Sequence, residues 1–301
     1  MSDPQPVTLA PEQLRSLQLK SLEAYAYLEE FCVEHNITVW FDAGGLLGAI
    51  RDKGFIPWDD DVDVLMPRPD FERFSALWPL HADTQRFTYV GASPDLLTRI
   101  PMVKIYDNHT TCLTENQWDL DTPQGLAIDI LLLDGCPNSK LARATQVMWA
   151  MIYNLFIAQF APTNYGKFIE LGCRILLGVV RSPSARHRVW RHAESRMTKV
   201  PYGSTPWVRY LCGGPTTIPK VFELAWFADT VMVDFEDRQV PAPIGYHEYL
   251  TKHYGDYMTP PPEDQRKPHH GFLFVDLDTP YETHRGTLFG KGAPGIPSAE
   301  V

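Results

Sequence analysis

The sequence predicts an α+β fold: a mixed sheet with flanking helices and a helical insertion. Three observations lead there. Short strand patterns alternate with helical ones over residues 1–138. Residues 139–200 then carry helical spacing with no strand signal, and residues 201–285 return to mixed patterning. The last stretch, 286–301, has the Pro/Gly-rich composition of a mobile tail.

The elements follow in order. Thr8, Pro11 and Glu12 are helix-start signals. Leu14, Leu17, Leu22, Tyr25, Leu28 and Cys32 then recur at helical spacing, which predicts a helix over about 11–35. "ITVWF" (37–41) reads as a strand, and "DAGGLLGAIRDKG" as a glycine turn running into a short helix. "DVDVLM" is a second strand, and "PRPDFERFSALW" a helix with Pro67 near its start. "RFTYV", "RIPMVKIY" and "GLAIDILLLDG" (125–135) are further strands, with a possible one at 229–234. Residues from about 259 onward are too rich in proline and glycine to suggest packed structure.

The net charge of −10 argues against nucleic acid as a partner, because phosphate binding needs a basic face. Five scattered cysteines form neither a C-x-x-C nor a disulfide-like framework. The N-terminal residues are polar and lack the apolar run of a signal peptide. The chain is therefore expected in the cytoplasm. Residues 144–161 contain eighteen uncharged residues, the lower bound for a membrane span, but Gln146, Asn154 and Gln159 interrupt them. A buried helix and a peripheral contact with the inner face of a membrane both fit that run.

Four aspartates, Asp59, Asp60, Asp61 and Asp63, sit among apolar residues. On a strand, Asp61 and Asp63 point the same way while Val62 and Val64 face the other side. Paired carboxylates repel, and a divalent cation turns that repulsion into binding; Mg²⁺ prefers one or two carboxylates plus phosphate oxygens. Asp59 joins that side if the strand starts early, whereas Asp60 is expected to point away. Asp129, alone in an apolar strand, needs a partner too: a strand-end hydrogen bond or a place in the same site. Upstream, Gly44 and Gly45 between a strand and a helix let backbone N–H groups approach a phosphate, though a double glycine is also an ordinary turn. Arg51 fits either a donor phosphate or an ion pair with Asp42 or Asp52. Lys104, in "PMVKIY", either reaches solvent or serves the site. Trp118 in "ENQWDLDTP" suits a quaternary ammonium or a base, if exposed.

Strand, Gly-Gly, helix and then Asp-x-Asp on a second strand resembles the nucleotidyltransferase fold. "GGLLGAIRDKGFIPWDDDVDVLMPRPDFERF" resembles the signature of the LicD family more specifically. "VKIYDNHTT", "GLAIDILLLDG" and "YLTKHYGDYMTPPPEDQRKPHH" follow as its later blocks, so the likeness spans about residues 12–270. Gly45 stands where the family usually has threonine.

The resemblance implies a phosphotransferase. It would move phosphocholine, or a polyol or sugar phosphate, from a CDP-linked donor, CDP-choline foremost, to a sugar hydroxyl of a cell-surface glycan or glycolipid such as lipopolysaccharide. It implies Mg²⁺ or Mn²⁺ at Asp59, Asp61, Asp63 and Asp129, with Asp61, Asp63 and Asp129 catalytic. Gly44, Gly45, Arg51, Lys104 and His269 (or its neighbour His270) would hold the donor. The rival readings are a metal-dependent glycosyltransferase or other nucleotidyltransferase using a nucleotide-sugar, and a non-catalytic membrane-associated assembly protein. In a glycosyltransferase the Asp-x-Asp usually follows roughly a hundred residues of nucleotide-binding structure, and here it comes early.

Overall fold

A computed structural model describes residues 5–93, 96, 98–162, 166–268 and 270–290. It opens on α1 (Pro11–Glu34), where Gln13 accepts a hydrogen bond from the Ala10 backbone N–H at 2.9 Å and Pro11 starts the first turn. Leu17, Tyr25, Leu28 and Cys32 form its buried stripe, as their spacing predicts.

The main sheet has seven strands in the order β1 (Trp40–Phe41), β2 (Val62–Pro67), β6, β4, β3. Between β1 and β2 lies α2 (Ala43–Arg51), and α3 (Arg68–His81) follows β2. Then come β3 (Phe87–Val90), β4 (Val103–Asp107), β5 (Thr111–Thr114) and β6 (Leu126–Gly135). The ten-residue β6 is central. It pairs in parallel with β2, and antiparallel with β4 through its first half. Its last residues pair with β7 (Trp207–Tyr210), which in turn pairs with β8 (Phe222–Glu223). The sheet is mixed and helix-flanked, so the α+β expectation holds. Val62, Val64, Ile128 and Ile130 are fully buried in the main apolar cluster.

The predicted helical stretch contains α4 (Lys140–Ala158), α5 (Lys167–Val179) and α6 (Pro183–Met197). Helices α4 and α6 pack together around an apolar cluster that includes Ala150, Phe156, Trp190 and Met197. The polar interruptions in the uncharged run have partners there. Gln146 donates to the Gly135 and Met197 carbonyls at 2.8 and 2.9 Å, and Asn154 to the Leu211 carbonyl at 2.9 Å. Amide N–H groups donated to neighbouring elements are what a buried helix needs, and the buried-helix reading of 144–161 fits them, although Gln146 Oε1 is buried without a partner among the described residues. No described helix is long and apolar enough to cross a membrane.

Strands β9 (Thr230–Phe235) and β10 (Arg238–Pro243) form a hairpin, followed by α7 (Tyr246–Tyr254). Beyond it the structure corrects the composition argument. β11 (Phe272–Asp276) pairs with β5, and Leu113, Leu273, Tyr281 and Phe289 make a third apolar cluster that Trp118 packs against. Of the tail expected over 286–301, residues 286–290 are folded in, with Phe289 fully buried; 291–301 lie outside the described residues. A few aromatic side chains, rather than overall composition, decide where that segment packs.

Candidate functional site

Three neighbouring strands place three charged residues in one row. Asp63 on β2 is the register partner of Asp129 on β6, and Asp129 is the register partner of Lys104 on β4. Register partners emerge on the same face, with adjacent strands about 4.8 Å apart. Val62, Val64, Ile128 and Ile130 take the other face by alternation and anchor the row in the core. Lys104 and Asp129 are both buried, and the ammonium lies 2.5 Å from Asp129 Oδ1. Lys104 is thus the cation that the lone strand carboxylate required. Burial opposes its charge, but Asp129, then Tyr106 and Asp61, outweigh that and raise its pKa.

Asp61 sits two residues before Asp63, at the mouth of the row. Its pKa is raised by burial; His270 opposes, Asp60 and Asp129 add to the rise, and Lys104 opposes. Asp63 stands well above the usual carboxylate range, through burial first and then Asp61, Asp129 and Asp42. Asp59 is pushed up to about 8 by burial, Asp61 and Asp60. Asp59, Asp60, Asp61, Asp63 and Asp129 thus share one electrostatic neighbourhood.

Asp60 departs from its expected orientation. Its carboxylate accepts from the His270 backbone N–H at 3.0 Å and lies 3.1 Å from His270 Nδ1. One ligand atom each from Asp60, Asp61 and His270 lie within 4.8 Å of one another, a group able to hold a metal ion. The alternation argument failed because the strand begins only at Val62, so Asp60 lies in the loop before it. Burial lowers the His270 pKa, but Asp60 and Asp61 outweigh it and the net shift is upward. His269 lies outside the described residues. A small cavity of about 40 Å³ opens beside this group, lined by Asp60, Asp61, Lys104, Asp129 and His270 together with Tyr106, Gln117 and Phe272.

The glycines are placed differently from the predicted turn. Helix α2 already begins at Ala43, which takes the positive φ of 45°, so Gly44 and Gly45 lie in its first turn. A Cβ on Gly44 would collide with the Asp59 carboxylate, and one on Gly45 would meet the Phe41 ring at 2.9 Å. Glycine is needed there for close approach, not for a left-handed backbone. Arg51 ends the same helix, about 10 Å along its axis from Gly44. It forks onto Asp52, with one contact at 2.8 Å, and does not join the acidic row. The Asp52 pair is one of the two readings its position allowed.

A second acidic group was missed. Asp42, fully buried, accepts hydrogen bonds from the Tyr210 and Tyr249 hydroxyls at 2.6 and 2.5 Å, and the two phenol oxygens lie side by side against it. Its backbone N–H donates to the Asp63 carbonyl at 3.0 Å, which ties this group to the row. Nothing local in the sequence links Asp42 to tyrosines some 170 and 200 residues away. Gln18 on α1 holds the Asp59 carbonyl at 2.8 Å and was also unforeseen.

Asp60, Asp61 and His270 supply carboxylate and imidazole donors that fit a divalent cation. Asp59 Oδ2 is buried with no hydrogen-bond partner among the described residues, and Gly44 leaves the room it occupies. A buried carboxylate oxygen without a donor fits a cation better than it fits a closed core.

Comparison with known proteins agrees in kind. The family model described as "LicD/FKTN/FKRP, nucleotidyltransferase domain" matches residues 36–109, which include Gly44, Asp59, Asp61, Asp63 and Lys104. The lipopolysaccharide cholinephosphotransferase LicD of Haemophilus influenzae is 29% identical over 272 residues, covering 85% of this chain and 96% of that protein. Uncharacterized proteins of Rickettsia prowazekii and Rickettsia typhi are 39% and 34% identical, over only 19% and 24% of this chain and about a quarter of their own length.

Proposed function

We propose that the chain is a member of the LicD family and a metal-dependent phosphotransferase. It moves phosphocholine from a CDP-linked donor to a sugar hydroxyl of a lipopolysaccharide-type glycan. The observation that carries this reading is the row Asp63, Asp129, Lys104 with Asp61 at its mouth. The name of the Haemophilus relative supports the choice of phosphocholine over a polyol or sugar phosphate.

Asp61, Asp63 and Asp59 would hold Mg²⁺ or Mn²⁺, with Asp129 able to complete the set. When bound, that cation supplies charge neutralisation on the donor pyrophosphate and its leaving group. The chain's own residues do the rest. Lys104 fixes the Asp129 carboxylate on the reacting face. Asp60 and His270 brace the loop that carries Asp61. The N-terminal turn of α2, bare of side chains at Gly44 and Gly45, offers N–H groups to a phosphate. In the transfer, the acceptor hydroxyl oxygen forms a bond to the choline-bearing phosphorus. The bond from that phosphorus to the bridging oxygen breaks, and CMP leaves with the electron pair. The hydroxyl proton passes to a carboxylate of the row, and Asp129 is the candidate because it lines the small cavity beside the group.

The test is nucleotide release from CDP-choline, CDP-ribitol, CDP-glycerol and nucleotide-sugars, each with Mg²⁺ or Mn²⁺ and a lipopolysaccharide acceptor. CMP release from CDP-choline, with choline phosphate retained on the glycan, is the expected result. Turnover of a nucleotide-sugar alone would move the reading to a glycosyltransferase. Asp129→Ala should spare donor binding more than turnover.

A further inference from the structure

We propose that α5 is a docking face for an anionic lipid bilayer, lying flat on the surface with its apolar side inserted. This is independent of the transferred group. Helix α5 is apolar over most of its circumference, yet only Leu177 is buried. Phe168 is 94% exposed and Val179 77%; Leu171 and Ile175 between them are 57% and 56%. These four recur at three- and four-residue spacing, so they form one continuous stripe. Scattered apolar residues on a surface need no explanation, whereas a continuous stripe marks a contact. Glu170 and Arg174 pair at 2.6 Å on the remaining side.

Charge selects the occupant. Residues 167–199 carry eight Lys and Arg against two Glu, a net of +6 in a chain of net −10. Arg174, Arg181, Arg188, Arg191 and Arg196 are all exposed. A symmetric pairing of two copies would bring the same basic patch against itself, which like charges oppose. An anionic leaflet attracts it instead, at about 1 kcal/mol for each Lys or Arg near the surface. Thirteen residues span about 20 Å, short of the hydrocarbon thickness, so the helix fits the interface and not a crossing. The C-terminal end of the helix is tied to the body, where Arg186 of α6 donates to the Val180 and Leu177 carbonyls at 2.8 and 2.9 Å. It lies outside the uncharged run 144–161, where a membrane contact was first expected.

Cosedimentation of the full chain with vesicles tests this. Vesicles of phosphatidylcholine alone are compared with phosphatidylcholine containing phosphatidylglycerol. Binding to the anionic vesicles, weakening with salt, is expected. Phe168→Ser with Ile175→Ser should abolish it. Arg181→Gln and Arg188→Gln should each weaken it about fivefold. Both sets are exposed, so thermal stability and nucleotide release with a soluble acceptor should stay at wild-type levels. That separates failure here from failure of the transfer reading. Equal binding to both vesicle types, no binding, or a dimer in sedimentation velocity that the same serine substitutions dissolve would each overturn the proposal.

Discussion

Two groups of buried carboxylate flank the start of α2, and they are treated in opposite ways. Asp42 is closed: both its oxygens receive phenol hydroxyls, and Phe222 and His253 pack around those rings. The Asp59, Asp61, Asp63, Asp129 group is open. It sets one ammonium and one imidazole against five carboxylates, counting Asp60, and Asp59 Oδ2 has no hydrogen-bond partner among the described residues. Burial raises the pKa of Asp42 as it does that of Asp63, but the phenols oppose it at Asp42 while other carboxylates add to it at Asp63. Burial alone thus does not distinguish a structural carboxylate from a functional one. The identity of its partners does.

The largest test of this contrast is Asp61→Asn or Asp63→Asn. Transfer should fall to background, while the melting temperature in metal-free buffer stays level or rises, because a repelling charge has gone. Activity that survives in either variant, or a large loss of stability, would erase the distinction. Asp42→Ala should do the reverse to stability. It leaves two buried phenols without their acceptor, at a cost of about 3 kcal/mol, read by denaturant or thermal unfolding. A third check adds Mg²⁺ to the wild type. A cation that binds only the folded state raises stability by about 2.7 kcal/mol at a hundredfold excess over Kd. Asp61→Asn should lose that rise and Tyr210→Phe, altered on the closed side, should keep it.

The smallest effect concerns His253, beside the closed group. Burial, with Lys220 adding, lowers its pKa to about 4. A histidine whose folded pKa lies below its unfolded value of 6.5 imposes no penalty above that pH. The penalty grows as pH falls and is complete below about 4. His253→Leu should therefore flatten the decline of melting temperature between pH 6.5 and 4 and leave pH 8 unchanged. An identical acid limb in the variant would assign the loss to other groups.

Much of the sheet was legible because its strands carry local signals. β2 is an apolar run broken by Asp63, and β6 is one broken by Asp129 and, near its end, Asp134; one residue of alternation assigns each face. The same rule misplaced Asp60, because it applies only inside the strand. The β5–β11 pair was not legible. β5 is four residues long, and its partner lies more than 150 residues later, behind a proline-rich stretch that hides it. The hydroxyl partners of Asp42 were invisible for the same reason. In the helical region, lack of charge marked 144–161, but burial there is decided by whether Gln146 and Asn154 find carbonyls. The more exposed apolar surface belongs to α5, where Glu170 and Arg174 masked it.

His270 reaches back to grip Asp60 with both its backbone and its ring. Synthesis runs from the N-terminus, so the aspartates leave the ribosome long before the residue that braces them. The strands can pair and the core can close on a nascent chain that still lacks this clamp. A product cut short just before residue 270 would keep β1 to β10 and every aspartate of the row, yet lose β11 from β5 and leave Asp60 without the His270 contacts. The competence of the site thus depends on a residue that is synthesised some 200 positions after the aspartates it holds.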